Sequence, residues 1–245
     1  MEADGRPQKK PTSPWVYVGC GCGVAVLLAL GALTSLTYWG YQKGKEIERT
    51  FKDPKARAEK TREVLPYREL PAGYHPVGAF SIPFLMDVAI LGDREPQAGE
   101  SRHGSFNERG FVYMNMRHLR DNKEKMKRFL RGEAPAPEDS PWRQSDVNFD
   151  PKENIRRGTV TVGGRQVLFN ASRGEVNHRG RTDENGIVTM VMPECASDRL
   201  RFGIWFGPDP AADKPVKEAD YTGTAADPAA IADFLGHFEL CGGQG

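Results

Sequence analysis

Between Trp15 and Gln42 the chain runs for 28 residues without an Asp, Glu, Lys, Arg or His. Its middle, Val24–Leu33, is apolar on every side, whereas a core helix shows a polar stripe. Drawn as a helix the run reaches about 42 Å, and crossing hydrocarbon needs only ~20 such residues. Trp15 and Tyr17 stand at one end and Tyr38, Trp39 and Tyr41 at the other, where the two headgroup belts would lie. The apolar core of a cleaved signal peptide is shorter and ends at small residues. Here the apolar run continues past Ala29-Leu30-Gly31. The pattern predicts a retained transmembrane helix over 15–42, preceded by a tail over 1–14.

The pattern then changes period. Residues 43–65 are charged and helix-forming, with Asp53-Pro54 as N-cap and first helical position, and are expected as a stalk. From Pro66 onward short apolar runs alternate with turns. Val77–Ile82 and Phe84–Leu91 read as strands either side of Pro83, the second apolar on both faces except at Asp87, which calls for a basic partner or a strand end. Gly92–Gly110 reads as a loop, Phe111–Arg117 as a strand and Leu119–Leu130 as an amphipathic helix. Glu133–Pro151, with four prolines, reads as linker. Thr159–Val162 and Arg165–Ser172 flank Gly163-Gly164, a two-residue hairpin signal. Asn185-Gly186 reads as a turn into Ile187–Met192, and Leu200–Phe206 alternates with Arg199 and Arg201 beginning the other face. Asp227-Pro228 caps a last helix, with Ile231, Phe234, Leu235 and Phe238 on one face and Gly242 as its stop.

The expected fold is therefore α+β: an N-terminal transmembrane helix, then one domain over 66–245 with a mainly antiparallel sheet of about seven strands, βββα-ββββα, covered by helices. This element order resembles the Mog1/PsbP-like α/β sandwich, which implies a layered fold used by accessory and binding proteins and assigns no residue a role. The Gly- and Cys-rich start of the span, Gly19–Gly23, resembles that of uncharacterised bacterial single-pass membrane proteins, which implies location and no activity.

Charge bears on placement. The formal net charge of +1 conceals 8 basic and 5 acidic residues over Lys43–Glu63, against 23 basic and 26 acidic from Pro66 onward. A mildly acidic domain excludes nucleic acid as the expected partner, and the basic flank suits anionic headgroups. Only Arg6, Lys9 and Lys10 precede the span, so the positive-inside count favours a cytoplasmic domain. A short tail ahead of a long apolar segment is instead the layout of a signal anchor. Together with the pair Cys195 and Cys241, which a disulfide or two buried thiols would explain equally, it leads us to expect the domain outside the cytoplasm. Within the span Cys22, Ala25, Ala29, Ala32 and Ser35 form a stripe of small residues, a face for a homodimer or another membrane protein.

Chemical signatures are sparse. The histidines His75, His103, His118, His178 and His237 show no metal spacing, so no metal and no cofactor is expected. Gly99-Glu-Ser101-Arg-His103 misses the nucleophile-elbow pattern at its last position. Asn170-Ala-Ser172 matches a glycosylation acceptor inside an expected strand. The loop Arg173–Arg181 offers Arg173, His178, Arg179 and Arg181 to an anion, with a solvated hairpin tip as the plainer explanation. The function expected is a membrane-anchored, non-catalytic binding or accessory module. A hydrolase-like enzyme built from scattered residues around His103 and His178, and a structural part of an envelope assembly, are the alternatives.

Overall fold

The computed structural model of the chain describes residues 42, 44–45, 49–96, 106–117, 120–135, 147–178 and 181–242. Two units divide the chain between residues 46 and 47. Of the first, Gln42, Gly44 and Lys45 are described and are helical. Among the described residues no helix is long and apolar enough to cross a membrane. The span expected over 15–42 lies outside them apart from Gln42, as do the small-residue face Cys22, Ala25, Ala29, Ala32 and Ser35 and the motif at 99–103.

The second unit holds the sheet. Helix α1 (Pro54–Val64) precedes β1 (His75–Ile82), β2 (Met86–Gly92) and β3 (Gly110–Met116). Helix α2 (Arg120–Arg131) leads to β4 (Val147–Val162), β5 (Arg165–His178), β6 (Arg181–Pro193) and β7 (Leu200–Pro208), and α3 (Pro228–Gly236) closes the order. All seven strands form one sheet in the order β1-β2-β3-β7-β6-β5-β4, every neighbour antiparallel. The fold is α+β, as the alternation predicts. The last strand, β7, inserts between β3 and β6 and so joins two meanders.

Period-2 alternation sends each strand's residues to two separate cores. One face carries Ala89 and Leu91, Phe111 and Tyr113, Phe169, Ile187 and Trp205 against α3 and the end of α1. The other carries Val88, Met114, Met116, Met190, Met192, Phe202, Ile204 and Phe206 against Met126 and Leu130 of α2. Phe234 of α3 is the centre of the first core. It stacks on Trp205 with ring centroids 4.3 Å apart and meets Tyr74 at 5.0 Å and Phe111 at 5.1 Å. Trp205 Nε1 donates to the Tyr74 hydroxyl at 2.7 Å, which satisfies a buried polar atom inside this aromatic group. Gly203 is required beside it, because the Phe111 ring fills the space where a Cβ would sit.

Several elements depart from the expected boundaries. Phe84 is not in a strand. It sits in the β1–β2 turn at φ +64°, and Pro83 ends β1 because it has no N–H for the ladder. Strand β4 begins at Val147 inside the expected linker, and Pro151 and Asn154 are followed by irregularities in its register with β5. β5 and β6 run on through the polar stretch to pair His178 with Arg181, so Asn185-Gly186 lies within β6 and not in a turn, Gly186 paired with Gly174 and Asn185 at a register shift. Gly163 and Gly164 do form the tight turn, both at positive φ. Residues 43–65 are not free stalk throughout: from Asp53, whose side chain caps Lys55 N at 2.9 Å, α1 packs along β1 with Arg57, Thr61 and Val64 buried. The last helix ends at Gly236 rather than Gly242, and Glu239 N then donates to Pro66 O at 2.8 Å.

Truncating Phe234 removes the ring that four other aromatic side chains pack on. Phe234→Ala is expected to cost about 3–5 kcal/mol in urea unfolding, with the slope unchanged.

Candidate functional site

The end of the sheet that carries the β1–β2 turn gathers most of the groups capable of recognition. Its penultimate rung runs across four strands, Ser81, Asp87, Asn115 and Arg201, in direct register on the aromatic face. The next rung, Ile82, Met86, Met116 and Leu200, is apolar and faces α2. Asn115 Nδ2 donates to Asp87 Oδ2 at 3.3 Å, and the Arg117 guanidinium lies 3.8 Å from the same oxygen. Asp87 thus has its basic partner and its strand end. Arg201, the second residue of β7, is buried rather than on an exposed face. Its Nε and Asn115 Oδ1 are both buried and make no hydrogen bond.

Beneath that row the Tyr113 hydroxyl donates to Leu240 O at 2.8 Å. Burial pushes its pKa up to about 12, with Arg201 pulling it down and Asp87 pushing it up. The C-terminal segment that supplies Leu240 is held a second time, since Cys241 is disulfide-bonded to Cys195 with Cα atoms 5.6 Å apart. Cys195 lies in the β6–β7 connection, to which α2 is also fastened. Lys123 Nζ donates to Ser197 O at 2.8 Å, and Glu194 lies 3.8 Å from Lys127 and 3.7 Å from Arg131. The crosslink therefore ties the last helix to the centre of the sheet.

The β1–β2 turn projects beyond this polar group. Phe84 is 80 % exposed, Leu85 50 % and Ile82 40 %, the large apolar side chains left outside both cores among the described residues. A phenylalanine at φ +64° carries a backbone cost of about 1–2 kcal/mol that glycine would avoid. The turn is nonetheless fixed, for Leu85 N donates to Ile82 O at 3.1 Å and Arg117 N to Leu85 O at 2.9 Å.

The anion loop expected over Arg173–Arg181 is not assembled around Arg173. That side chain turns into the domain, where Nε pairs with the fully buried Asp209 carboxylate. Its terminal nitrogens donate to Lys214 O at 2.7 Å, Ala211 O at 2.9 Å and the Tyr221 hydroxyl at 2.7 Å. Nearly all its donor capacity is used to fold the 209–221 loop onto β5. His178 and Arg181 are paired in the backbone ladder at the far end of that hairpin, and Arg179 lies outside the described residues. Asn170 and Ser172 are buried in β5, so the acceptor motif is closed in the folded chain. His237 Nδ1 lies 3.2 Å from Glu69 O, a structural contact, while His103 and His118 are outside the described residues. Among the described residues no group of three or more His, Cys, Asp or Glu is placed to hold a metal ion.

Sequence reading missed the polar rung because its members are spread over four strands, 6, 28 and 86 residues apart along the chain. Only Asp87, out of place in an apolar strand, marks it locally. No protein-family model matches this chain, and a comparison with curated proteins finds no match either.

Three outcomes follow. Serine at both Cys195 and Cys241 is expected to cost about 4 kcal/mol in denaturant, since the bond closes a 46-residue separation. Because Tyr113 holds its proton more tightly folded than unfolded, stability stays whole below pH 10 and falls as pH rises towards 12. A Tyr113→Phe chain should lose less stability over that alkaline window in urea titrations. Phe84→Gly should unfold at an equal or higher urea concentration than the natural chain, since it relieves backbone cost and removes few contacts.

Proposed function

We propose that the chain is a membrane-anchored, non-catalytic binding or accessory module, held by one span over 15–42 with its domain outside the cytoplasm. The observation that carries this reading is the β1–β2 turn. The domain fills two cores, yet presents Ile82, Phe84 and Leu85 outward from a rigid turn. Apolar side chains held at one projecting point favour contact with a partner over catalysis in a cleft. The uncharged run supports anchoring, and the Cys195–Cys241 bond supports an oxidising compartment.

A membrane-tethered enzyme is the second reading, favoured by the buried, unpaired Arg201 Nε and Asn115 Oδ1 beside Asp87. The first reading assigns that rung a positioning role under the turn, and the second makes it a site.

The experiment is fractionation of the full chain in its native membrane, followed by maleimide labelling. The unprocessed chain should remain in the pellet after carbonate washing, and Cys195 and Cys241 should label only after reduction. Release into the supernatant would end the anchored reading, and immediate labelling of both cysteines by a membrane-permeant reagent would place the domain on the reducing side.

A further inference from the structure

The exposed turn joins the edge strand β1 to β2 at one corner of the sheet, and four observations bear on what it meets. First, three large apolar side chains stay exposed together, although burying apolar surface is favourable and the fold leaves that gain unused there. Second, the flanking charges are mixed in a way that suits an interface. Arg117 follows β3 and Arg199 precedes β7 at this same end of the sheet, both only partly buried, with the Asp87 carboxylate turned inward to Asn115 and Arg117.

Third, the apolar surface does not stop at the turn. Phe80, Met86, Ile90 and Val112 continue it along the α2 face, each only partly buried. Fourth, the incoming chain arrives on this surface. Phe51 packs against Gly78 of β1, and Gly78 pairs with Ile90, whose side chain belongs to that same face. From Gly78 to Ile82 is about 13 Å of strand. Between Gln42, the last uncharged residue, and Phe51 only nine residue steps intervene, a reach of at most about 32 Å fully extended. That covalent link bounds how far Phe51 can lie from the end of the uncharged run.

We propose that the β1–β2 turn is a second membrane contact: Phe84 and Leu85, with Ile82, enter the interfacial region of the bilayer, and Arg117 and Arg199 meet anionic headgroups. The inference rests on the anchored reading and names the partner of its projecting turn as lipid. Aromatic and aliphatic side chains at a rigid point gain transfer energy on entering the acyl boundary, and flanking arginines gain from the surface potential. The short tether makes the local lipid concentration high, so a contact too weak to recruit a free protein still holds the domain against the membrane. The positive φ at Phe84 fits this assignment, because it aims the ring away from the sheet at some expense to the fold.

The test uses the full chain in vesicles of phosphatidylcholine and phosphatidylglycerol, with Cys20→Ser and Cys22→Ser to leave one reactive thiol. An environment-sensitive fluorophore is placed at Phe84→Cys, at Leu85→Cys, and at Asp213→Cys, an exposed position in the loop beyond the opposite end of β7. Unchanged thermal melting and an intact Cys195–Cys241 bond certify each labelled chain. Probes at 84 and 85 are expected to emit further to the blue than the probe at 213, and nitroxide-bearing lipids should quench them alone. Both probes remaining as water-exposed as the one at 213, in a chain that resists carbonate extraction, would overturn the lipid contact and leave the anchor intact. If the probes are in water in these vesicles but shielded in native membranes, the turn binds a protein, and the lipid assignment fails. Should carbonate release the chain, the anchored reading fails separately. A blue shift on adding vesicles to that released chain would still support the turn's affinity for lipid, and its absence would overturn it.

Discussion

The pairing of β3 with β7 is the contact on which the rest of the domain depends. β7 is the last strand in the chain, yet it lies next to the third and joins the β1-β2-β3 meander to the β6-β5-β4 meander. Remove it and each meander has an open edge and half of each core. With it in place Phe111 and Trp205 stand in register on one face and Val112 and Ile204 on the other. A strand buried on both faces is apolar on both over most of its length, and β7 is so past Arg201: Phe202, Ile204 and Phe206 fill the α2 side while Trp205 and the space above Gly203 fill the α3 side.

Helix placement follows from that centre. α3 supplies Phe234 to the aromatic group over β3 and β7, and α2 supplies Met126 and Leu130 to the methionine-rich face. Methionine suits the second core, since an unbranched side chain fills the irregular gaps between a twisted sheet and a single short helix. The ends of both helices are then tied to the same β6–β7 connection, one by Lys123 and the other through Cys241 to Cys195. Order is thereby concentrated at one end of the sheet, and a rigid base is what lets the β1–β2 turn hold apolar side chains in the open.

That arrangement also accounts for the buried charges. Arg173 and Asp209 form a pair within the domain, with Tyr221 and two backbone carbonyls completing the arginine's bonds. Such a pair adds less stability than its geometry suggests, because both groups lose their water. What it supplies is a single path for the 209–221 loop across the aromatic face, where Tyr221, Ala225 and Ala226 join the core. Asp87, Asn115 and Arg201 are a looser group, hydrogen-bonded in part, under the projecting turn.

Read alone, the residues determined the class of the domain, the strand count, the Gly163-Gly164 turn and the Asp227 cap, because each depends on local period or on backbone dihedrals a few residues wide. They also flagged Asp87, since a carboxylate in an apolar strand needs a partner whatever the fold. Strand order was not legible: that β7 inserts beside β3 depends on which hydrophobic faces complete each other across 84 or more residues. Nor were the fate of Arg173, whose partner is 36 residues away, and the continuation of β5 and β6 through polar sequence, where no apolar alternation marks a strand. Tertiary structure alone decided which apolar residues stay outside. Phe84 and Leu85 look like the start of a buried strand until Pro83 and a left-handed backbone turn them into solvent.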